Sequence, residues 1–430
     1  MSKETSRWES ILSSVDDVFT APSFTLFCEL MGAWVLVTAR HTICSMVQVM
    51  DPATRRAHDA YHRFIRAGAW SLESCLAGVC RLAVRWAGTG RLTLYLDDTL
   101  FHRAGPQVNG AGSWRDAVRS TSRHVVYARG LNLVVICVRV NPPWGGMPLA
   151  LPIALRLHEK GGTTMPELAA EMMGELAAQL PEASFILCAD GAYATLAGAG
   201  LERTAVVSRM RRDAALYLAA PPKTGQRGRP RTKGKRLCTP KVRSTRLRRA
   251  DFTTAVCEFR GSKVEKLLWS TDVLWHRVSP TALVRLVIVR DPLGHEPDDY
   301  FFTTDLTMSA VEVVSIYAGR WGIEIAYRDV KQIVRGHQPQ SWKDHGPERA
   351  AGLSFWLYSA VWIWYLDVCG KRPRFAVTPW FTTKSTPSYA DALAELRRTL
   401  WHERISPASN GAPLNTETVK ILVEALAVAA

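Results

Sequence analysis

The order of strand-like and helix-like segments in the first half of the chain limits its possible folds more than any other sequence feature. Three β-rich segments are followed by an amphipathic helical pattern, a short apolar strand, a run of small residues that suits another helix, and one more strand. Because strands and helices are interleaved, the sequence predicts an α/β fold with a mixed sheet and helices on its faces. The strand-like segments are residues 92–96, 131–140, 148–157, 185–189 and 205–208, and the helical pattern covers residues 164–180.

Aspartates follow two of the predicted strands. Asp97 comes directly after residues 92–96, and Asp190 comes directly after residues 185–189. Polar groups at the carboxyl ends of strands lie where α/β sheets bind ligands, so both side chains are candidates for a functional site. Asp98 adjoins Asp97, and because side chains alternate along a strand, only one of this pair can face the site.

A second group of polar residues lies in a helical pattern that begins at Ser309. Four of them, placed on one helix at about 100° per residue, fall within an arc of roughly 60°. A carboxylate in such a stripe can hold a metal ion while the cations beside it contact phosphate oxygens. A Glu and an Arg four residues apart also form ordinary exposed ion pairs, so the spacing alone leaves both interpretations open. The four residues are Tyr317, Arg320, Glu324 and Lys331.

Three carboxylates are then available for one site. Carboxylate oxygens are the ligands that Mg²⁺ prefers, and pairs of such ions act on phosphodiesters in many enzymes. If the helix faces the strand ends, the sequence predicts a two-metal site for Mg²⁺ or Mn²⁺ formed by Asp97, Asp190 and Glu324.

The spacing of the helical residues resembles a family signature. Tyr317, followed by Arg after two intervening residues, Glu after three and Lys after six, is similar to the Y-R-E-K signature of bacterial insertion-sequence transposases of the IS-four type. Residues 94–99, Leu-Tyr-Leu-Asp-Asp-Thr, resemble the strand with the family's first aspartate, and residues 188–193, Cys-Ala-Asp-Gly-Ala-Tyr, resemble the second. The family's Asp-x-Thr pattern favours Asp97 over Asp98 as the residue that faces the site.

The resemblance implies an RNase H-like catalytic core, interrupted by a β-rich insertion, that cuts and joins DNA at transposon ends. Asp97, Asp190 and Glu324 would form its D-D-E triad, which binds two Mg²⁺ or Mn²⁺ ions. The partners would be double-stranded DNA, both transposon ends and target, and a second copy of the chain, with which it would act as a homodimer on paired ends. The chain would then be a DDE-type transposase with endonuclease and nucleotidyl-transfer activity.

Roles for the remaining signature residues follow from the same resemblance. Arg320 and Lys331 would hold the scissile phosphate or its neighbour. Tyr317 would either hydrogen-bond a phosphate oxygen or pack beneath the helix. Two other functions stay open: a catalytically inactive descendant that only binds DNA, and a metal-dependent nuclease without strand transfer.

Positive charge is concentrated in one segment. The chain carries a formal charge of +15, and residues 209–249 contain fifteen Lys or Arg against a single acid, so the other 389 residues are nearly neutral. Such a segment is typical of polyanion binding. Its Arg-Gly-Arg-Pro sequence resembles the core of an AT-hook, so both minor-groove readout and non-specific backbone contact stay open. The candidate DNA-binding residues here are Arg227, Arg229, Arg231, Lys233, Lys235 and Arg236.

These patterns divide the chain into five regions. Residues 1–88 are expected to form an N-terminal helical domain, which could bind DNA ends, and residues 371–430 a C-terminal helical region, which could support dimerisation. The three regions between them are the first part of the catalytic core at residues 89–212, the basic, β-rich insertion at residues 213–306, and the second part of the core with the Y-R-E-K helix at residues 307–370.

Apolar stretches and cysteines bear on location. The stretches at residues 24–39 and 350–366 are too polar or too short to span a bilayer, so we expect buried helices. The nine cysteines form no C-x-x-C pair and are expected to be reduced thiols. The amino terminus lacks the apolar core of a signal peptide. We therefore expect a cytoplasmic, nucleoid-associated bacterial protein without membrane contact.

Overall fold

Ten β-strands and twelve α-helices make up the described part of the chain, which is the mixed α/β fold that the sequence predicts. The computed structural model describes residues 2–51, 55–116, 118–121, 123–222, 231–259, 262–405 and 416–428. The strands are β1 (Arg91–His102), β2 (Gly112–Arg115), β3 (Tyr127–Val140), β4 (Leu149–His158), β5 (Ser184–Ala189), β6 (Thr204–Arg209), β7 (Thr253–Phe259), β8 (Ser262–Val273), β9 (Val284–Arg290) and β10 (Asp299–Thr303). The helices are α1 (Lys3–Leu12), α2 (Ala21–Leu36), α3 (Ile43–Gln48), α4 (His58–Ala67), α5 (Leu72–Ala87), α6 (Met165–Gln179), α7 (Pro240–Arg246), α8 (Ala310–Gly319), α9 (Trp321–Gln332), α10 (Gly346–Cys369), α11 (Tyr389–Ile405) and α12 (Thr416–Val428).

The centre of the sheet has an RNase H-like arrangement. Its order is β4-β3-β1-β5-β6, in which β3 is antiparallel to both of its neighbours, β4 and β1, while β1, β5 and β6 are parallel. A parallel pair needs a long crossover connection, and α6 lies in the connection that returns the chain from β4 to β5. Strand β1 is thus the point at which the sheet changes from antiparallel to parallel pairing.

The strands that follow the basic segment extend the same sheet. Strand β10 pairs antiparallel with β6, and β9, β8 and β7 follow outward in that order. The junction places Phe301 of β10 opposite Arg209 of β6. Strand β10 therefore supplies hydrogen-bond partners for the backbone groups of β6 that would otherwise form an exposed sheet edge.

Strand β1 is longer than predicted. The sequence places its end before Asp97, but the strand continues to His102 and contains both Asp97 and Asp98. The physical reason is the unequal length of its neighbours: pairing with β5 stops at Leu96, whereas β3 continues to pair as far as His102, opposite Gly130. The expectation that Asp97 follows the strand is therefore wrong, and the residue lies where one neighbour ends and the other continues.

Helix α10 joins the N-terminal helices to the sheet. Trp356 packs edge-on against Phe27 of α2 with 5.0 Å between ring centroids, and Phe355 stacks on Phe101 of β1 at 5.5 Å. The aromatic segment that the sequence assigns to a buried helix lies inside α10. Across the described residues no helix is both long and apolar enough to cross a membrane, and the nine cysteines are free thiols.

Arg349 fixes α10 to the turn between α4 and α5. The residue is buried, and its guanidinium donates hydrogen bonds to the backbone carbonyls of Gly68 at 2.9 Å and Trp70 at 2.5 Å. It also lies 4.3 Å from the centre of the Trp70 ring. A buried cation thus supplies the donors that two backbone carbonyls of the turn need.

Replacing this arginine is expected to destabilise the fold. Arg349→Met should lower the free energy of unfolding by about 2–4 kcal/mol, because buried carbonyl oxygens lose a charged donor. Urea unfolding should show a lower midpoint with an unchanged slope. The control Arg372→Met, at an exposed position beyond α10, should stay within about 0.5 kcal/mol of the unaltered protein. Equal losses of unfolding free energy in the two variants would contradict the role assigned to Arg349.

Candidate active site

The two predicted aspartates lie on neighbouring strands. The pairing of β1 with β5 ends at Leu96 opposite Ala189, and the next residues are Asp97 and Asp190. The parallel register therefore places them side by side and on the same face of the sheet. Asp190 begins a short 3₁₀ helix, and its Oδ1 accepts a hydrogen bond of 2.6 Å from the backbone N–H of Ala192.

The predicted single helix with the signature residues is two helices, α8 and α9, which meet at Arg320. At the junction, the N–H of Arg320 donates to the carbonyl of Tyr317 at 3.1 Å, and the N–H of Ile323 donates to the carbonyl of Arg320 at 2.9 Å. These bonds span three residues instead of four, as in a 3₁₀ turn. The junction packs closely on β1, since a Cβ atom on Gly319 would lie 2.4 Å from the Tyr95 hydroxyl. The expectation of one continuous helix is therefore wrong.

Arg320 connects the sheet to α9. Its Nη1 lies 2.5 Å from Oδ2 of Asp97 and 3.7 Å from Oε1 of Glu324. The side chains of Arg320 and Asp97 are 14% and 16% exposed, whereas Glu324 is 41% exposed, so the first contact is shielded from water and the second is not. Arg320 therefore makes both the local ion pair that helical spacing permits and a long-range contact that only the fold provides.

Negative charge accumulates around Asp97. The pKa of Asp97 is raised to about 7, chiefly by burial and against the lowering effect of the Arg320 guanidinium. The negative charges of Asp98, Asp190 and Glu324 contribute to this rise, so all three carboxylates lie near enough to act on Asp97. Three other carboxylates thus act on Asp97, and Arg320 is the cation that pairs with it.

The remaining signature residues lie on either side of this cluster. The Tyr317 ring packs on Phe301 of β10 with 4.4 Å between centroids, and the Arg320 guanidinium lies 5.6 Å from the Tyr317 ring. Lys331, at the other end of α9, lies 5.8 Å from the Phe101 ring, and burial lowers its pKa. The carboxylate on α9 therefore has one cation toward each end of the helix.

Asp98 faces the opposite side of the sheet from Asp97. Its Oδ1 accepts a hydrogen bond of 3.2 Å from the hydroxyl of Tyr193, whose oxygen also lies 3.8 Å from Sδ of Met165 at the start of α6. Tyr193 is fully buried and belongs to the 3₁₀ helix that follows Asp190. Asp98 therefore holds the segment that starts with Asp190, while Asp97 faces Arg320.

The cluster has the donor chemistry of a divalent-cation site. All its donors are carboxylate oxygens, which suit Mg²⁺ and Mn²⁺, and the surplus of negative charge around Asp97 is what a cation would neutralise. In the described ranges, however, no three His, Cys, Asp or Glu side chains lie close enough together to hold a metal ion. Arg320 occupies the position of a cation at Oδ2 of Asp97. Binding a metal ion there therefore requires the guanidinium to move.

The basic segment leaves the sheet beside the second aspartate. Strands β5 and β6 are parallel and pair Ala189 with Ser208, so Arg209, the last residue of β6, lies next to Asp190. The hydroxyl of Ser208 donates to the Asp190 carbonyl at 2.8 Å. The N–H of Lys241 in α7 donates to the carbonyl of Arg212 at 3.0 Å, which ties α7 to the same place. The basic segment therefore borders the carboxylate cluster.

Four of the six candidate DNA-binding residues in this segment are exposed on its surface: Arg231, Lys233, Lys235 and Arg236. The Lys233 ammonium lies 4.6 Å from the Tyr217 ring, and the backbone of Arg236 forms a bridge with Tyr217. Arg227 and Arg229, and with them the Arg-Gly-Arg-Pro sequence, lie outside the described residues.

Two residues near the site escaped the sequence analysis. The hydroxyl of Tyr327 donates to the backbone carbonyl of Asp97 at 2.9 Å. Tyr327 lies three residues after Glu324 and seven after Arg320, so helical spacing could have found it on their face. Ser208, which bonds the end of the neighbouring strand, had no such signal, because its role depends on the pairing of β5 with β6.

Comparison with known proteins identifies a family. A family model described as DDE superfamily endonuclease matches residues 24–269, which is more than half of the chain. The matched range contains both Asp97 and Asp190 and ends before α9, so Glu324 lies beyond it. No curated protein matches the chain.

The contact between Asp98 and Tyr193 is testable by a double-mutant cycle. Asp98→Ala and Tyr193→Phe, alone and combined, should give a coupling of about 1–2 kcal/mol in the free energy of unfolding, because each variant removes the same buried hydrogen bond. Urea unfolding of the four proteins measures it.

A second cycle, between Asp97→Ala and Tyr193→Phe, is the matched control. Asp97 lies on the other face of β1 and its side chain pairs with Arg320, so the coupling should be below about 0.5 kcal/mol. Similar coupling energies in both cycles would show that Tyr193 is not a specific partner of Asp98.

Proposed function

Because the chain belongs to the DDE superfamily of endonucleases, we propose that it is a DNA transposase that cleaves and joins transposon ends. The observation that carries the proposal is the placement of two carboxylates around Asp97: the register of β1 and β5 sets Asp190 beside it, and Arg320 contacts both Asp97 and Glu324 of α9. The Y-R-E-K spacing, which resembles that of the IS-four type, supports the assignment of the chain to insertion-sequence transposases.

The carboxylates Asp97, Asp190 and Glu324 are the proposed ligands of Mg²⁺ or Mn²⁺, with two ions in the working site. When bound, such ions make a water or a 3′-hydroxyl a stronger nucleophile and stabilise the leaving oxygen of the phosphodiester. The oxygen-only donor set and the surplus of negative charge support this choice of metal.

The cations of the protein itself position the phosphate. Arg320 is buried beside the carboxylates and presents a planar fork of donors that suits phosphate oxygens. We propose that Arg320 exchanges Asp97 for a phosphate oxygen once the carboxylates bind a cation. Lys331 approaches from the other end of α9, and because burial lowers its pKa, its poorly hydrated ammonium gains from an anionic partner.

The DNA partner is double-stranded, with transposon ends and a target. The basic segment beside Asp190 is the proposed contact for the DNA backbone on that side of the site. Joining two ends to one target requires both ends to be held together, which supports a homodimer on paired ends. The proposed setting is the bacterial cytoplasm, in association with the nucleoid.

Loss of single carboxylates tests the proposed mechanism. Asp190→Asn and Glu324→Gln should each slow cleavage by at least roughly 1000-fold, because a neutral amide replaces neither the charge nor the ligand. The substrate is an end-labelled duplex that carries the DNA bordering the reading frame, incubated with Mg²⁺. The control Asp17→Asn, at an exposed position before α2, should cleave like the unaltered protein.

Other outcomes of the same assay favour the rival functions. If Asp190→Asn cleaves as well as the unaltered protein, the mechanism is wrong. Salt-sensitive DNA binding without cleavage by the unaltered protein would instead indicate a DNA-binding descendant. Cleavage without joining of pre-cut ends to a target plasmid would indicate a nuclease without strand transfer.

Metal binding should also be visible in stability. An ion that binds only the folded protein stabilises it by about 1.4 kcal/mol at a concentration ten times its dissociation constant. Mg²⁺ or Mn²⁺ should therefore raise the thermal unfolding midpoint of the unaltered protein and of Asp17→Asn, and should have little effect on Asp190→Asn. An equal rise in all three proteins would argue against a metal site at these carboxylates.

A further inference from the structure

The chain outside the basic segment is nearly neutral in total, but its positive charge is concentrated in space. Three segments, residues 55–66, 102–129 and 335–345, contain eleven Lys or Arg against three acids, together with six of the eleven histidines. No one of these segments stands out by its charge along the sequence. Their assembly in the fold therefore decides whether they form one surface.

Hydrogen bonds join the three segments. In the connection between β1 and β2, the N–H of Asn109 donates to the carbonyl of Trp342 at 2.9 Å, and its side-chain amide donates to the carbonyl of Asp344 at 2.8 Å. On the other side, Nε of Arg66 in α4 lies 3.2 Å from Oδ2 of Asp344. The loop between α9 and α10 therefore lies between α4 and the β1–β2 connection, and the three segments are continuous.

Of the three acids in this region, Asp59 and Asp344 are exposed and pair with Arg63 and Arg66, whereas the third is buried. Asp116 has a side chain that is only 4% exposed. Its carboxylate accepts hydrogen bonds from the N–H groups of Val118 and Arg119, at 3.0 and 3.1 Å, and lies 2.9 Å from Nε2 of His102. The Asp116 carboxylate is thus buried and already paired, so it adds little negative charge to the surface.

Eight exposed cations remain on the outside, and they define what we call the second basic surface: Arg55, Arg56, Arg63, Arg66, Arg115, Arg119, Arg123 and Lys343.

The second basic surface adjoins the active site at the end opposite to the basic segment. The guanidinium of Arg103, which follows β1, donates to the carbonyl of His337, and Lys331 at the end of α9 lies 5.8 Å from the Phe101 ring. The charge of Asp116 also acts on Lys331. The basic segment, in contrast, starts next to Asp190. The carboxylate cluster therefore lies between two positive surfaces.

We propose that the second basic surface binds the phosphate backbone of the duplex on the Lys331 side of the scissile phosphate. The DNA would then cross the carboxylate cluster from one basic surface to the other. Exposed Lys and Arg bind phosphates with release of condensed counterions, so the contact is strong at low salt and independent of sequence. The inference rests on the proposed DNA cleavage, whose substrate it places on the protein.

One cation from each segment can be removed without disturbing the core. The variant Arg56→Ser, Arg123→Ser, Lys343→Ser in the full chain should bind a fluorescent duplex with the bordering DNA on the order of 100-fold more weakly at about 0.1 M salt. The slope of log affinity against log salt should become less steep by about three. Binding is measured in EDTA, so that no cleavage occurs. Hydroxyl-radical protection of the DNA should be lost on one flank of the cleavage position and kept on the other.

A matched triple variant controls for the loss of charge. Lys3, Lys371 and Arg372 are exposed and lie near the far end of α10, whose 24 residues span about 36 Å. Their replacement by Ser should leave affinity, salt slope and protection unchanged. Thermal unfolding of both triple variants shows whether each still folds. Because the substituted residues are exposed, the unfolding midpoint should not change in either variant.

Two results overturn the inference: an unchanged salt slope and footprint in the first variant, or equal losses in both variants. Neither result bears on cleavage, which is measured separately with Mg²⁺. The opposite outcome is also distinguishable. If the unaltered protein never cleaves DNA, but the first variant alone loses protection on one flank, the second basic surface is still a DNA contact and only the proposed function is wrong.

Discussion

The pairing of β1 with two unlike neighbours is the constraint on which the site depends. Strand β3 continues to pair beyond Asp97, whereas β5 stops one residue before it. Asp97 is therefore held in a regular strand while the adjacent strand turns away at Asp190. A carboxylate inside a strand has a fixed direction, so the two faces of β1 separate the roles of Asp97 and Asp98.

The position of Asp97 places a carboxylate in a buried, negatively charged environment, and Arg320 supplies the balancing positive charge. A buried carboxylate with three others near it is costly unless a cation balances it, and burial is the largest cause of the raised pKa of Asp97. Arg320 reaches Asp97 because the helix is interrupted there and because Gly319 allows close approach to Tyr95. The same guanidinium is near Glu324, so one side chain sets the distance between the sheet and α9. A cation that balances the empty cluster is also well placed to meet an incoming phosphate.

The sequence predicts the parts of this site better than their arrangement. Alternation of strand and helix patterns indicates the mixed α/β fold. Apolar periodicity correctly places α6, and a long apolar stretch correctly places α10, because these signals are local. The end of β1 and the break at Arg320 were not predictable in the same way. The first depends on how far β3 extends, and the second on contact with Tyr95, which lies over 200 residues away in the chain. Ser208 and Tyr193 likewise act through partners that only the sheet brings near.

The distribution of charge is likewise only partly predictable from the sequence. The basic segment is visible in the sequence because its cations follow one another, whereas the second basic surface combines segments with formal charges of +3, +4 and +1 that are far apart in the chain. Four clustered carboxylates repel a phosphodiester, and this repulsion acts over distances comparable to the Debye length of about 10 Å at 0.1 M salt. Positive surfaces on both sides of the cluster offset it, because they hold the duplex by phosphates that lie away from the carboxylates. Only the scissile phosphate then has to enter the negative site, where Arg320 and Lys331 lie at the two ends of α9 to receive it.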